Sequence, residues 1–208
     1  MREGISISER RLEKFEQVAA TRQDMTVILE NVHDRHNIGA VMRSCDSVGI
    51  QELYILYTEK HLQERHLNEV KSASTGVRKW MDVHFFTEVE PCFEAVRKRY
   101  DFVLGTHLSE DSKDLYTLDL TQKVALLFGN EHDGISQDAL LHCDGNFTIP
   151  QFGMVGSLNI SVACAVTIYE AARQRKSKGL YDTNFESQPH KRALYNKYVA
   201  IHKKRYQR

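Results

Sequence analysis

The sequence predicts an α/β fold: a mostly parallel sheet covered by helices on both faces. Three observations carry this. Apolar runs of strand length alternate with helical patterns from residue 25 to residue 170, the order expected of strand–helix–strand units. One of those runs, residues 26–32, is nearly continuous in apolar residues, as a strand buried on both faces is. The segment after Ser157 (Ile160, Val162, Ala163, Cys164, Ala165, Val166 and Ile168) is apolar on nearly every side, which predicts a helix buried all round.

Taken in order, residues 5–20 read as an amphipathic helix with Ser8 as its N-cap and a stripe of Leu12, Phe15 and Ala19. Arg10, Arg11 and Arg22 lie on or beside it. Strand 26–32 leads through a polar turn, His33 to Asn37, into helix 38–48, with Ile38, Val41, Met42 and Cys45 facing inward. Then follow strand 51–57, a polar helix at 61–70, a Ser-rich loop at 72–76, strand 80–86, helix 88–100 and strand 101–106. An acidic loop spans 109–119 before strand 123–129, a turn at 130–134, helix 136–141 and strand 146–149. Gly153 and Gly156 then punctuate a loop in which backbone can approach a ligand closely. Ser157 is placed to cap the last core helix.

With 208 residues, 41% of them hydrophobic and three prolines, the chain can bury a sizeable core. No apolar run approaches a membrane span and residues 1–4 carry no leader-like stretch, so the expectation is a soluble cytoplasmic protein. The four cysteines (Cys45, Cys92, Cys143, Cys164) form no CxxC pair and read as reduced, buried thiols. His33-x-x-His36 has a metal-like spacing without a third ligand nearby, so no metal site is expected. The charges sum to zero but are unevenly placed. Residues 171–208 hold eleven Lys/Arg against two Asp/Glu, whereas residues 25–170 carry a net −9. A basic tail on an acidic body fits a polyanion-binding appendage, and the interleaved Tyr181, Phe185, Tyr195, Tyr198 and Tyr206 suggest that it folds or docks.

Neither a dinucleotide fingerprint nor a P-loop explains the glycines, and no G-x-S-x-G is present. Polar residues instead collect at strand ends, where ligands of parallel sheets gather. Asn37, Arg43, Asn130, Glu131, Ser157 and Asn159 are the group that suits a polar, partly anionic substrate. Asn37 also fits a helix N-cap, and Glu131 a turn cap.

Three segments carry a resemblance. Residues 30–46 (ENVHDRHNIGAVMRSCD), 126–135 (LLFGNEHDGI) and 149–162 (IPQFGMVGSLNISV), in that order, resemble the three motifs of the SpoU/TrmH family of 2′-O-ribose RNA methyltransferases within the SPOUT superfamily. The resemblance implies a deep C-terminal trefoil knot, which periodicity would not suggest. It also implies S-adenosylmethionine held by loops matching Thr106, Gly129, Ile149, Leu158 and Asn159. The helix after Ser157 would then be half of a homodimer interface, for which its apolarity is suited. Arg43, Asn37, Glu131, Ser157 and Asn159 match the family's catalytic positions. Arg43 would act on the ribose 2′-hydroxyl; a guanidinium with a pKa above about 12 is a poor base, so positioning and polarising the hydroxyl is as consistent as taking its proton. Many members carry Pro where this chain has Arg35.

The layout divides into an N-terminal helical RNA-binding extension (1–24), a methyltransferase domain (25–172) and a basic C-terminal extension (173–208). This resembles the family's tRNA enzymes that act on the D-loop guanosine at position 18. Arg10, Arg11, Arg173 and Arg175 match positions linked to tRNA binding, where phosphate contacts position the RNA. Methylation of rRNA or of the tRNA wobble ribose, and a catalytically silent RNA-binding knot, are the alternatives.

Overall fold

The computed structural model describes residues 7–63, 76–182 and 188–206. The helix and loop expected over 61–76 fall mostly outside them. Seven strands form one sheet in the order β3-β2-β1-β6-β4-β7-β5, and every pairing is parallel. They are β1 (Met25–Glu30), β2 (Glu52–Leu56), β3 (Asp82–Phe86), β4 (Phe102–Thr106), β5 (Lys113–Asp114), β6 (Val124–Phe128) and β7 (Gly145–Thr148). The helices are α1 (Glu9–Ala20), α2 (Arg35–Ser47), α3 (Val89–Arg97), α4 (Gln137–Leu140), α5 (Ile160–Ser177) and α6 (Pro189–Tyr206). Strand β5 was not expected. It lies within the stretch read as an acidic loop.

The central strands show why the sheet must be covered twice. Successive side chains point to opposite faces. Val27 and Leu29 of β1 and Leu126 and Phe128 of β6 pack with Ile38, Val41, Met42 and Cys45 of α2 and with Ile160, Cys164, Ile168 and Ala171 of α5. Their neighbours Ile28, Ala125 and Leu127 pack on the other face, with Cys92, Phe93 and Val96 of α3 and Ala139 of α4. Each fully buried side chain of this kind contributes about 1.5–3 kcal/mol relative to exposure. Cys45, Cys92 and Cys164 are buried and Cys143 is half-buried. Burial pushes the Cys92 and Cys143 thiols up to about 12, which keeps them unreactive. No helix among the described residues is long and apolar enough to cross a membrane.

A third, smaller core joins the chain's ends. Phe15 and Ala19 of α1 close on Tyr198 of α6, with Trp80 beside them. Arg22 donates from Nε to the Tyr198 hydroxyl at 2.9 Å, and that hydroxyl donates to Gln51 Oε1 at 2.7 Å. The basic tail is therefore folded back onto the N-terminal helix. Helix α5 runs without interruption through residues 172 and 173.

Two helix starts differ from the expected ones. Helix α2 opens three residues early because Asp34 caps it, its carboxylate accepting from His36 N at 2.8 Å. Asn37 is thereby released from a capping role. Helix α5 opens two residues late, capped by Asn159 and not by Ser157. Nor is α5 buried all round, because Val162 and Tyr169 on one of its sides are exposed, as Phe152, Met154, Val155 and Leu158 are in the loop before it.

Candidate active site

The sheet order places the site. The chain builds outward from β1 through β2 to β3, crosses to β4, and only later inserts β6 between β1 and β4. Ligands of parallel sheets bind where such an order reverses, beyond the strands' carboxyl ends. There a cavity of about 760 Å³ is lined by Thr106 to Leu108 after β4, Phe128 to Gly134 after β6, and Thr148 to Gln151 with Gly156 to Ile160 after β7. Its volume lies within the range of about 300–1,000 Å³ usual for small-molecule sites. Thr106, Gly129, Ile149, Leu158, Glu131, Ser157 and Asn159 all line it.

A polar relay fixes the catalytic candidates. The Glu131 carboxylate accepts from Asn37 Nδ2 at 2.5 Å, and Asn37 Oδ1 accepts from Asn159 Nδ2 at 3.2 Å. Asn159 Oδ1 in turn accepts from the backbone N–H and the hydroxyl of Ser161, at 2.9 and 2.6 Å. The direction is forced from the Ser161 end, where a backbone N–H only donates. Each amide between them has one orientation. Three segments far apart in sequence are thus locked together at the cavity mouth.

The turn after β6 is built tightly. A Cβ on Gly129 would fall 2.0 Å from the carbonyl carbon and oxygen of Gly134, so no larger residue fits without moving backbone. Asn130 Oδ1 accepts from His132 N and Asp133 N, at 2.8 and 2.7 Å, and Gly134 takes the left-handed conformation at φ +69°. Against the chain's own atoms Gly153 and Gly156 are open, and a Cβ at either would meet nothing within 4 Å. The glycine that matters for packing is Gly129. Behind the turn, buried Glu30 accepts from Ser136 N at 3.0 Å and from Ser136 Oγ at 2.5 Å. Burial pushes the Glu30 carboxyl above its ordinary value, and the Ser136 hydrogen bonds recover only part of that shift.

Arg43 stands apart. It is exposed on α2, does not line the cavity, and makes no hydrogen bond or ion pair with another described residue. Its two conceivable structural partners are engaged elsewhere, Asp46 by Arg22 at 2.6 Å and Glu30 by Ser136. Among the arginines expected to meet RNA, Arg10 and Arg11 are exposed on α1, and Arg11 lies over the rings of Phe15 and Trp80. Arg173 is exposed but grips Glu170 through two hydrogen bonds of 2.8 Å. Arg175 is no surface residue. It is 2% exposed and binds backbone carbonyls of Leu120, Gln122 and Asp24. Glu30 and Ser136 were not among the expected site residues, yet they hold the turn after β6 from behind. The only sequence signal for them is polar residues at strand and helix ends.

The three motif segments thus converge on one cavity at the carboxyl edge of a parallel sheet. Residues 24–169 match the SpoU rRNA Methylase family, and the chain belongs to it. Among its relatives, the tRNA (guanosine(18)-2′-O)-methyltransferase of Thermus thermophilus is 41% identical over 176 residues, 84% of this chain and 88% of that one. The Escherichia coli enzyme of the same name is 35% identical over 80% of this chain and 70% of its own. The crystal structure of the A. aeolicus TrmH/SpoU tRNA modifying enzyme superposes with a TM-score of 0.76 at 30% identity, covering 92% of this chain and 96% of that one. The SpoU methyltransferase AviRb of Streptomyces viridochromogenes, in complex with AdoMet, superposes with a TM-score of 0.63 at 26% identity, over 75% and 60%.

Asn159 has two separable duties, capping α5 and donating to Asn37. Asn159→Ala is expected to cost about 1 kcal/mol of stability, the usual loss on removing a cap. Asn159→Asp keeps the cap acceptor and loses the donor to Asn37. Urea unfolding of Asn159→Asp should therefore match the parent, while its methyl-transfer rate falls as far as that of the alanine variant.

Proposed function

We propose that this protein transfers the methyl group of S-adenosylmethionine to a ribose 2′-hydroxyl of tRNA, the guanosine at position 18 of the D-loop. The observation that carries this reading is the cavity at the carboxyl ends of β4, β6 and β7, closed at its mouth by the Asn37–Glu131–Asn159 relay. The relatives named tRNA (guanosine(18)-2′-O)-methyltransferase supply the substrate.

The cavity suits this donor. Leu108, Phe128, Ile149, Leu158 and Ile160 offer apolar walls for a flat base. From Pro150 to Leu158 no backbone N–H donates to another described backbone carbonyl, so these groups are available to the edges of a polar ligand. S-adenosylmethionine, bound there, supplies an electrophilic methyl group. The chain's own residues do the rest. Thr106, Gly129, Ile149 and Leu158 hold the donor. Asn37, Glu131 and Asn159 fix the wall against which the ribose lies, with Ser157 beside them. Arg43 positions and polarises the 2′-hydroxyl.

Two extensions of the reading follow. The exposed apolar side of α5, Val162 and Tyr169, continues into Met154, Val155 and Leu158 of the loop before it. A second copy of the chain covers this face in a homodimer, as apolar patches of this kind require. The trefoil knot belongs to the same reading. The division into domains of 1–24, 25–172 and 173–208 is retained, with α1 and α6 forming one basic lobe that presents Arg10, Arg11, Lys14, Lys203 and Lys204 to RNA phosphates. Arg173 adds to that surface, and the reaction takes place in the cytoplasm with its tRNA.

The deciding experiment incubates the protein with labelled S-adenosylmethionine and unmodified tRNA and maps the methylated nucleotide. Label at the guanosine-18 ribose is the expected result. Label at the wobble ribose, or in rRNA and not in tRNA, overturns the substrate assignment, and no label in either overturns the activity.

A further inference from the structure

Beside the active site, His33, Glu59 and His61 offer one nitrogen or carboxylate oxygen each, all within 4.8 Å of one another. We propose that these three residues form a binding site for a borderline divalent metal ion, with zinc as its reference ligand. The spacing of the donors is the first argument. The two imidazole Nε2 atoms lie 3.6 Å (His33) and 3.4 Å (His61) from the same oxygen, Glu59 Oε2. Two donors each about 2.1 Å from a tetrahedral ion lie about 3.4 Å apart. The contacts thus have the length of a coordination edge. His33 Nε2 is buried and has no hydrogen-bond partner, which is costly for a polar atom unless a ligand reaches it.

The donor set is the second argument. Two histidines and one glutamate suit zinc and its neighbours far better than magnesium or calcium, which prefer oxygen. Three protein ligands leave one position of a tetrahedral ion open to water.

The site is also held from behind. Asn31, buried and in the left-handed conformation at φ +49°, donates to Thr58 Oγ1 at 2.8 Å. It accepts from Thr58 N at 2.9 Å and Glu59 N at 3.4 Å. This clamp fixes the start of the 59–61 segment against the end of β1, where His33 follows. Supporting hydrogen bonds of this sort are a regular part of metal sites. The His33 ring also packs edge-on to His61, with centroids 5.7 Å apart, and lies 6.4 Å from the ring of His132 on the cavity wall. A bound ion fastens the loop after β2 to the loop that leads into α2, next to its cap Asp34. The expectation of no metal looked only along the sequence at His33 and His36. His36 is exposed and outside the cluster; the other two ligands come from beyond β2.

The test uses the full chain without a histidine tag, stripped of metal with chelator and titrated with zinc chloride alone. One zinc per chain is expected, with affinity reduced more than about tenfold in both His61→Ala and Glu59→Gln and unchanged in His36→Ala. Because His61 is a largely exposed side chain, circular dichroism of the stripped variants should match the parent and exclude misfolding as the cause. Absence of stoichiometric zinc, zinc that persists in both ligand variants, or zinc lost equally in His36→Ala each overturns the proposal.

Discussion

Arg43→Ala is expected to lower the rate of methyl transfer by at least about 10²-fold, the scale of losing a charged group that acts on the developing transition state. It should leave binding of S-adenosylmethionine nearly unchanged. The separation follows from where Arg43 stands. It lies outside the cavity and makes no hydrogen bond or ion pair with another described residue, so removing it disturbs neither the donor's walls nor the fold. An exposed side chain of this kind changes stability by less than about 0.5 kcal/mol. One turn further along α2, Ser47 contacts the Tyr169 hydroxyl at 3.0 Å, so Arg43 sits on the side of α2 that faces the exposed edge of α5. Its donors are therefore presented toward whatever covers that edge, RNA or the second protomer. Arg43→Lys keeps the charge but loses the planar fork, and it should remain close to inactive. Calorimetry for the donor and single-turnover kinetics for transfer separate the two quantities. Turnover of the alanine variant within about threefold of the parent would remove Arg43 from the mechanism.

Much of this arrangement was legible in the sequence, and the exceptions have physical reasons. The continuous apolar runs gave the buried strands, because only a sheet covered on both faces needs them. The polar strand ends gave the cavity for the same topological reason. The start of α5 was not legible: Ser157, Asn159 and Ser161 all suit a cap, and the choice falls to Asn159, which alone of the three also bonds Asn37 across the fold. Strand β5 could not be read, since Lys113 and Asp114 have no apolar pattern and pair only because β7 lies beside them. The crowding at Gly129 could not be read, since it comes from Gly134 five residues on. The His33–Glu59–His61 cluster was hidden by distance along the chain.

Arg175 yields the second large effect. Its match to a family position linked to tRNA binding suggests a phosphate contact. Yet Cys164, Ile168, Ala171 and Arg175 follow one another at helical spacing along the buried stripe of α5, so the residue was bound to point inward. There its guanidinium donates from Nε to Leu120 O at 3.0 Å, from Nη2 to Asp24 O at 3.1 Å and to Gln122 O, and from Nη1 to Gln23 Oε1 at 3.4 Å. Burial shifts its pKa downward, though a guanidinium stays charged at any working pH. The charge is held by carbonyl dipoles gathered from the segments before β1 and β6. Arg175→Ala leaves those carbonyls without a donor and opens a void, and an unfolding free-energy loss of about 3 kcal/mol or more is expected. Arg175→Lys offers three donors on a single nitrogen and cannot span the same carbonyls, so it should recover only part of the loss. Arg173→Ala, two residues away on the exposed side, should leave the urea midpoint nearly unchanged and weaken tRNA binding instead. A stable Arg175→Ala protein with weakened tRNA affinity would return Arg175 to the RNA surface.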